Sequence, residues 1–384
     1  FPYTTLFRSF ALFMAILNAF EEFFWPAVAP TFFNIAMIVS TLLPANLLPV
    51  SGETLAWGVL VGGVLQVAVL LPRLKALGFW PRFSLRVDWG PCRRVFYNMG
   101  PGLLGTGLMQ MTVLVNSNFV SSLPEGSPSY IAWADRLLEL PLSLVAVSLG
   151  TALLPRLSQL SAEKKWSDFN LTLLENLSLT FFLVLPCALA LYFLALPIVQ
   201  LLFQHGHFNL SDSNIVAQIV QIYALILISS ALGRVFITAF YASQNTWFPA
   251  VAAVVSLTLH VLMAPILMHR FGLNGLVFST FLSGAISFTI LWVGFQVLIL
   301  RLSNRIFAKQ IFKSCLCSLP TLAILAISSR FYDETAPMWQ RIAHFLVAGG
   351  IGGGIFLAVG HWLKIPEYEN TFKKILRRRA RKSS

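Results

Sequence analysis

Asp135, Arg136 and Glu139 stand close together in a stretch that is otherwise apolar, running from Ser127-Pro128-Ser129-Tyr130-Ile131-Ala132-Trp133 to Leu140-Pro141. If this stretch is a helix, Asp135 and Glu139 are four apart and share a face, while Arg136 and Glu139 are three apart and can pair. At 1.5 Å per residue, Arg136 lies roughly 10 Å along the helix from Ser129. Pro141 frees a backbone carbonyl one turn upstream and favours a bend. Two chemistries fit this spacing. One is a structural charge cluster that locks helices together or snorkels outward. The other is an arginine that lines a wet cavity and binds an anionic head group, with Asp135 and Glu139 orienting it and moderating the local charge. The guanidinium fork suits phosphate, because it donates two parallel hydrogen bonds and stays charged. Gln110 and Asn116 recur on the segment next in sequence and are candidates to share that cavity.

The other chemistry-bearing residues read more plainly. His205 and His207 are two apart, with Asp212 at a distance, and are expected to form a capped interfacial turn rather than a metal site. Cys92, Cys187, Cys315 and Cys317 form no CxxC pair and are read as small apolar residues. Asn34, the pair Gly62-Gly63 with Gln66, and Gly100-Pro101 with Thr112 and Asn118 are expected to serve packing, since small residues permit close helix approach. The sequence holds no P-loop, GxSxG, HExxH or metal-spaced Cys cluster. No enzymatic activity and no cofactor are expected.

The elements that must position these groups are membrane spans. Of 384 residues, 57% are hydrophobic and only 11% charged, against about a quarter charged in a soluble domain. The apolar character runs along the whole chain, as in a polytopic helical membrane protein. Segments long enough to cross roughly 30 Å of hydrocarbon are expected near 27–45, 53–72, 97–121, 129–154, 173–203, 214–241, 247–268, 273–300, 310–329 and 341–363, with a partial one near 10–20.

The basic residues set the orientation. The loops at 73–94, 155–170 and 301–313 and the tail from Lys364 carry 21 Lys and Arg, whereas the alternate loops carry Arg270, Arg330 and Arg341. The basic side is expected to be cytoplasmic, C-terminus included. The net charge of +12 is thus a loop and tail property, suited to anionic lipid, and no nucleic-acid role is read from it. No loop is long enough to hold a soluble catalytic domain.

The motif Ala134-Asp135-Arg136-x-x-Glu139-x-Pro141, followed by Leu149-Gly150-Thr151-Ala152-Leu153-Leu154-Pro155, resembles the eighth helix of the MurJ/MviN lipid II flippases. Other segments agree in order. Pro26-Ala27-Val28-Ala29-Pro30-Thr31 through Asn34 resembles the family's fifth helix, and Leu55-Ala56-Trp57-Gly58 with Gly62 to Gln66 resembles the sixth. Met99-Gly100-Pro101 resembles the seventh, Leu202-Phe203 with Gly206 and Phe208 the turn after the ninth, and Phe240-Tyr241-Ala242-Ser243-Gln244 the end of the tenth. After that tenth helix the family carries an acidic and a basic residue where Asn245 and Trp247 stand here.

The resemblance implies an all-α polytopic membrane protein of the multidrug/oligosaccharidyl-lipid/polysaccharide exporter superfamily. Two helical lobes surround a central cavity, with two extra C-terminal helices. About 11 of an expected 14 transmembrane helices are accounted for. Residues 10–160 would be the remainder of the N-terminal lobe, helices four to eight. Residues 161–300 would be the second lobe, helices nine to twelve. Residues 301–363 would be the two extra helices, and 364–384 a basic cytoplasmic tail. There is no initiator Met. Residues 1–9 match the translation of a common sequencing-adapter oligonucleotide and are read as an assembly artefact, although Phe1-Pro2-Tyr3 also resembles the start of a family helix in register. The gene is expected to begin upstream.

The function implied is the flipping of lipid II, the undecaprenyl-pyrophosphate-linked peptidoglycan precursor, across the bacterial inner membrane by alternating access. Arg136 would clasp the pyrophosphate, and membrane lipids would hold the tail. Coupling to the membrane potential or an ion follows from moving net charge, at about 2.3 kcal/mol per charge per 100 mV. The nearest rival is another superfamily exporter, an O-antigen or polysaccharide-lipid flippase or a multidrug antiporter. The two helices after residue 310 and the Asp135-Arg136 motif weigh against it. A polyprenyl glycosyltransferase would need an acidic catalytic outer loop, which this sequence lacks, and a scaffold would not need charges at membrane depth.

Overall fold

A computed structural model describes residues 2–20, 22–44, 53–79, 89–90, 93, 110–302 and 304–363. Met99-Gly100-Pro101, Cys92, Arg82, Arg86, Arg94 and the tail from Lys364 lie outside the described residues. The chain divides into two compact units, residues 1–95 and 96–384. Among the described residues the regular structure is entirely helical. Eight helices among these residues are long and apolar enough to cross a membrane.

The first unit holds α1 (Pro2–Ala19), α2 (Phe24–Leu42), α3 (Glu53–Ala68) and α4 (Leu71–Ala76). Helices α2 and α3 approach closely because glycine faces the contact. A Cβ at Gly58 would lie 2.3 Å from Ser40 Oγ, and one at Gly62 would lie 2.8 Å from the Phe33 ring. Gln66 is buried in the same helix. Phe13, Leu17, Ala29, Leu70 and Leu74 form the apolar centre. Arg73 pairs with Glu22 of the loop between α1 and α2.

The second unit begins, in what is described, with α5 (residues 110–121). Then follow α6 (Ser127–Pro141), a π-helical segment (Leu142–Val147), α7 (Ser148–Ala162), α8 (Trp166–Phe193), α9 (Ala195–Phe203), α10 (Leu210–Ala242), α11 (Trp247–Leu298), α12 (Asn304–Arg330) and α13 (Met338–Trp362). Helix α10 is the central post, buried along its length and packed against α6, α7, α8, α9 and α11. Helices α12 and α13 pack on each other and on α8 and α9.

Two details refine the expected spans. Residues 173–203 form two helices, because Leu194 leaves helical geometry and Pro197 cannot donate to the carbonyl four residues back. Helix α11 is a hairpin. Gly272 breaks it at φ +56°, a conformation natural to glycine, and the arms then run antiparallel. Ser256 Oγ donates to the Ser283 carbonyl at 3.0 Å. A Cβ at Gly275 would sit 2.1 Å from the Leu267 carbonyl oxygen, and one at Gly294 would meet the Phe248 ring at 2.0 Å. The two sequence-predicted spans 247–268 and 273–300 are these arms.

Candidate functional site

Helix α6 begins after Gly126, whose φ is +90°, with Pro128 in its first turn where no N–H is needed. Its apolar stripe, including Ala134 and Leu137, packs into the α10 core. Its N-terminal end is fixed twice. Tyr130 donates to Asp212 Oδ1 at 2.6 Å, and Trp133 packs on Phe203 and Phe208 with ring centroids 4.7 and 6.4 Å apart. The opposite face is open. Arg136 and Glu139 there form a 3.6 Å pair, with side chains 77% and 68% exposed.

Asp135 turns the other way. Its carboxylate lines a cavity together with Tyr223 of α10. The arginine is therefore oriented by Glu139, while Asp135 contributes to the cavity wall. Pro141 ends the regular α-helix and the next six residues are π-helical. Ser143 Oγ donates to the Glu139 carbonyl at 2.7 Å, and Ser148 Oγ to the Ser143 carbonyl at 3.2 Å. Widened turns of this kind recur at functional sites, where they offset the helix on either side.

A cavity of about 300 Å³ lies between α5, α6, α10 and the second arm of α11. Asn116, Ser117, Asp135, Tyr223 and Thr280 supply its polar lining. The structure thus brings together two of the sequence-predicted residues, Asp135 and Asn116. Gln110 is exposed and lies one turn beyond Val113, a lining residue, on the same face by helical spacing. Arg136 and Glu139 point from the open face of α6. Asn116 is also committed to His260, whose Nε2 lies 2.7 Å from its Oδ1.

Three residues escaped the sequence reading: Tyr223, His260 and Arg234. Arg234 is exposed on α10 while Gly233 and Val235 beside it are buried. It lies eight residues before the helix end at Ala242, roughly 12 Å of axial rise. Asp212, Tyr223 and Arg234 recur every eleven residues, which is three helical turns and places them on one face. That face meets α6 at Tyr130 and Asp135 and meets α7 where Thr238 Oγ1 lies 3.3 Å from the Cβ position of Gly150. The available signal was an arginine inside an apolar span, a default functional position, which a tally of loop charges passes over.

The turn bearing His205 and His207 reverses at Gly206, φ +60°. The Asn209–Asp212 capping box then starts α10, so Asp212 is engaged by the Asn209 N–H and by Tyr130. Among the described residues no group of three or more His, Cys, Asp or Glu side chains is gathered to hold a metal ion.

A protein-family model described as "Lipid II flippase MurJ" matches residues 1–344. A "Probable lipid II flippase MurJ" of Bdellovibrio bacteriovorus is 45% identical over 284 residues, 74% of this chain and 54% of the relative. A "Lipid II flippase MurJ" of Burkholderia cenocepacia is 33% identical over 300 residues, 77% of this chain and 58% of the relative. The chain thus spans between half and three fifths of the length of these relatives. A solved structure, "Lipid II flippase MurJ, inward closed conformation", superposes with a TM-score of 0.73 over 93% of this chain and 72% of its own, at 24% identity. That is a likeness of fold.

Proposed function

This chain belongs to the lipid II flippase MurJ family, and on that premise we propose that it moves lipid II from the cytoplasmic to the periplasmic leaflet of the bacterial inner membrane. The observation that carries the reading is the Arg136 guanidinium. It stands on the open face of a helix whose other face is sealed into α10, with Glu139 at 3.6 Å as its neighbour. An exposed pair three residues apart contributes only about 0.2–0.5 kcal/mol, too little to justify an arginine at membrane depth as a clamp. An anionic ligand supplies the missing compensation, and the diphosphate of lipid II matches the bidentate fork.

Arg234 is a second ligand on the same reading. The neighbouring positions Tyr130 with Asp212, Asp135 with Tyr223 across the cavity, and Gly150 with Thr238 place it about ten residues from Arg136 along the joint axis, roughly 15 Å. A diphosphate moving from the cytoplasmic side meets Arg234 first and Arg136 second. Asn116 and Gln110 line the neighbouring path for the polar head, and Asp135 keeps that path from becoming uniformly positive. The tail stays among membrane lipids. No bond is made or broken, so no catalytic group is assigned.

The cytoplasmic side is the one carrying the 164–165 and 301–313 basic residues and the C-terminus. The test is translocation of fluorescent lipid II in proteoliposomes, read by an impermeant quencher. Lipid II made inaccessible or accessible at the same rate in protein-free vesicles would contradict the proposal.

A further inference from the structure

One buried seam runs from α6 through the π-helical segment into α7. Ala134 and Leu137 are buried before the segment, Leu142 and Ala146 within it, and Leu153 and Leu157 after it. Gly150, beside Thr238, lies between the last two pairs. A helix returns to one face every three or four residues. Every step along this seam obeys that rule except one, the step of five from Leu137 to Leu142. Five residues of α-helix overshoot one turn by about 140°, and the wider turns of Leu142–Val147 absorb the excess.

Packing alone does not call for this widening. One residue fewer in the segment would make the step four, and an ordinary α-helix would then keep the whole seam on α10. Leu144 is a residue of that kind, 72% exposed and outside both large apolar cores.

The extra residue falls where bending is easiest. Pro141, just before it, brings no backbone N–H, and proline and π turns are two recognised causes of a sharp bend. Side-chain hydroxyls serve the carbonyls left without a helical partner. Ser143 Oγ has two carbonyls within reach, Glu139 at 2.7 Å and Leu140 at 3.1 Å, and Ser148 Oγ donates to the Ser143 carbonyl at 3.2 Å. A hydroxyl with two acceptors in reach can change partner as the turn opens or closes, so the bend can alter without stranding a carbonyl.

The segment also joins two separate cores. Ala134, Leu137, Leu142 and Ala146 pack with α10 as far as Ala231. Leu153, Leu157 and Leu160 pack with α10 from Leu232 to Ala242. The arginines divide in the same way. Arg136 stands on the N-terminal half of the helix. Arg234 stands on α10 beside the second core, one turn before Thr238, whose hydroxyl donates to its carbonyl at 3.0 Å.

We propose that the wide turn Leu142–Val147 is a joint, at which the half of the helix carrying Arg136 moves against the half beside Arg234 while the head group passes between the two arginines. The transport part rests on the flippase reading given above. Bending at this point changes the separation of the two guanidinium groups and leaves each apolar core intact.

Hydrogen exchange of the chain in lipid nanodiscs, read by mass spectrometry, tests the joint by itself. Amides of residues 142–149 are expected to exchange roughly tenfold faster than those of 131–139 and 153–160. Equal protection along the helix overturns the proposal. Deletion of Leu144 tests what the joint is for. The shortened helix is expected to keep the wild-type thermal midpoint, to protect the segment as well as its flanks, and to translocate lipid II in proteoliposomes roughly tenfold more slowly. Leu144→Ala, which keeps the length, is expected to translocate like wild type. A deletion variant with the wild-type rate, or Leu144→Ala as slow as the deletion, overturns the proposal. So does a deletion variant with a lowered midpoint, since packing would then require the wide turn. Absence of any translocation by wild type counts against the flippase reading instead, and the exchange measurement then decides the joint.

Discussion

Asp135 of α6 and Tyr223 of α10 line one cavity, while Arg136, next to Asp135 in sequence, stands on the open face of α6 beside Glu139. Adjacent residues of one motif thus do separate work. Asp135 lends a carboxylate to the cavity wall between α6 and the central post, while Arg136 has Glu139 as its neighbour on the open face. Removing the Tyr223 hydroxyl separates these roles. Tyr223→Phe is expected to leave the thermal midpoint little changed, since the ring that packs in the core is kept, and to leave the affinity for lipid II within a factor of a few. A large loss of affinity without loss of stability would place the cavity wall in the ligand site.

Arg234 is expected to behave as a ligand. Arg234→Ala should slow lipid II translocation tenfold or more while folded protein accumulates normally, because its exposed side chain supports no packing. Falling abundance with normal specific activity would make it structural.

The α11 hairpin predicts a stability effect far from the ligand. Gly275→Ala forces a methyl into the Leu267 carbonyl, a backbone atom that cannot swing away. Overpacking of this sort costs about 1–3 kcal/mol, and the thermal midpoint in detergent should fall by several degrees. Gly284→Ala, at a position with open space beside it, is the control expected to melt like wild type. Equal midpoints for the two variants would refute the close approach of the arms.

Orientation is testable at the two ends of the bundle. In a cysteine-free background, Lys164→Cys between α7 and α8 should react with an impermeant thiol reagent only after the inner membrane is opened. Glu334→Cys between α12 and α13 should react in intact spheroplasts. The reverse pattern would invert the topology.

Much of this fold was legible because burial in lipid demands long apolar helices, and the sequence 173–203 or 247–300 can do little else. The breaks were partly legible, through Pro197 and Gly272. The DRxxE spacing marked α6 correctly, since three- and four-residue intervals fix which side chains are neighbours. What stayed hidden depends on contacts between distant residues. Tyr223 and His260 gain meaning only from Asp135, Asn116 and Ser279, which lie 88, 144 and 19 residues away in sequence, and no local period encodes that. The π-helical turn was legible only as a bend at Pro141, because its register is set by packing on α10. Arg234 was visible by type and position, and the eleven-residue stripe it shares with Asp212 and Tyr223 was the signal.

The account stands on Arg136, and equilibrium binding of lipid II to the chain in nanodiscs, read beside its thermal midpoint, tests it most directly. Loss of a bidentate charge-assisted contact, worth about 1.5–3 kcal/mol, weakens binding about ten- to hundredfold. Arg136→Ala is expected to show that loss with an unchanged midpoint. Arg136→Lys should recover little of it, since a point charge does not reproduce the fork. Arg136→Ala with wild-type affinity and a lowered midpoint would contradict the account and make the arginine a structural clamp.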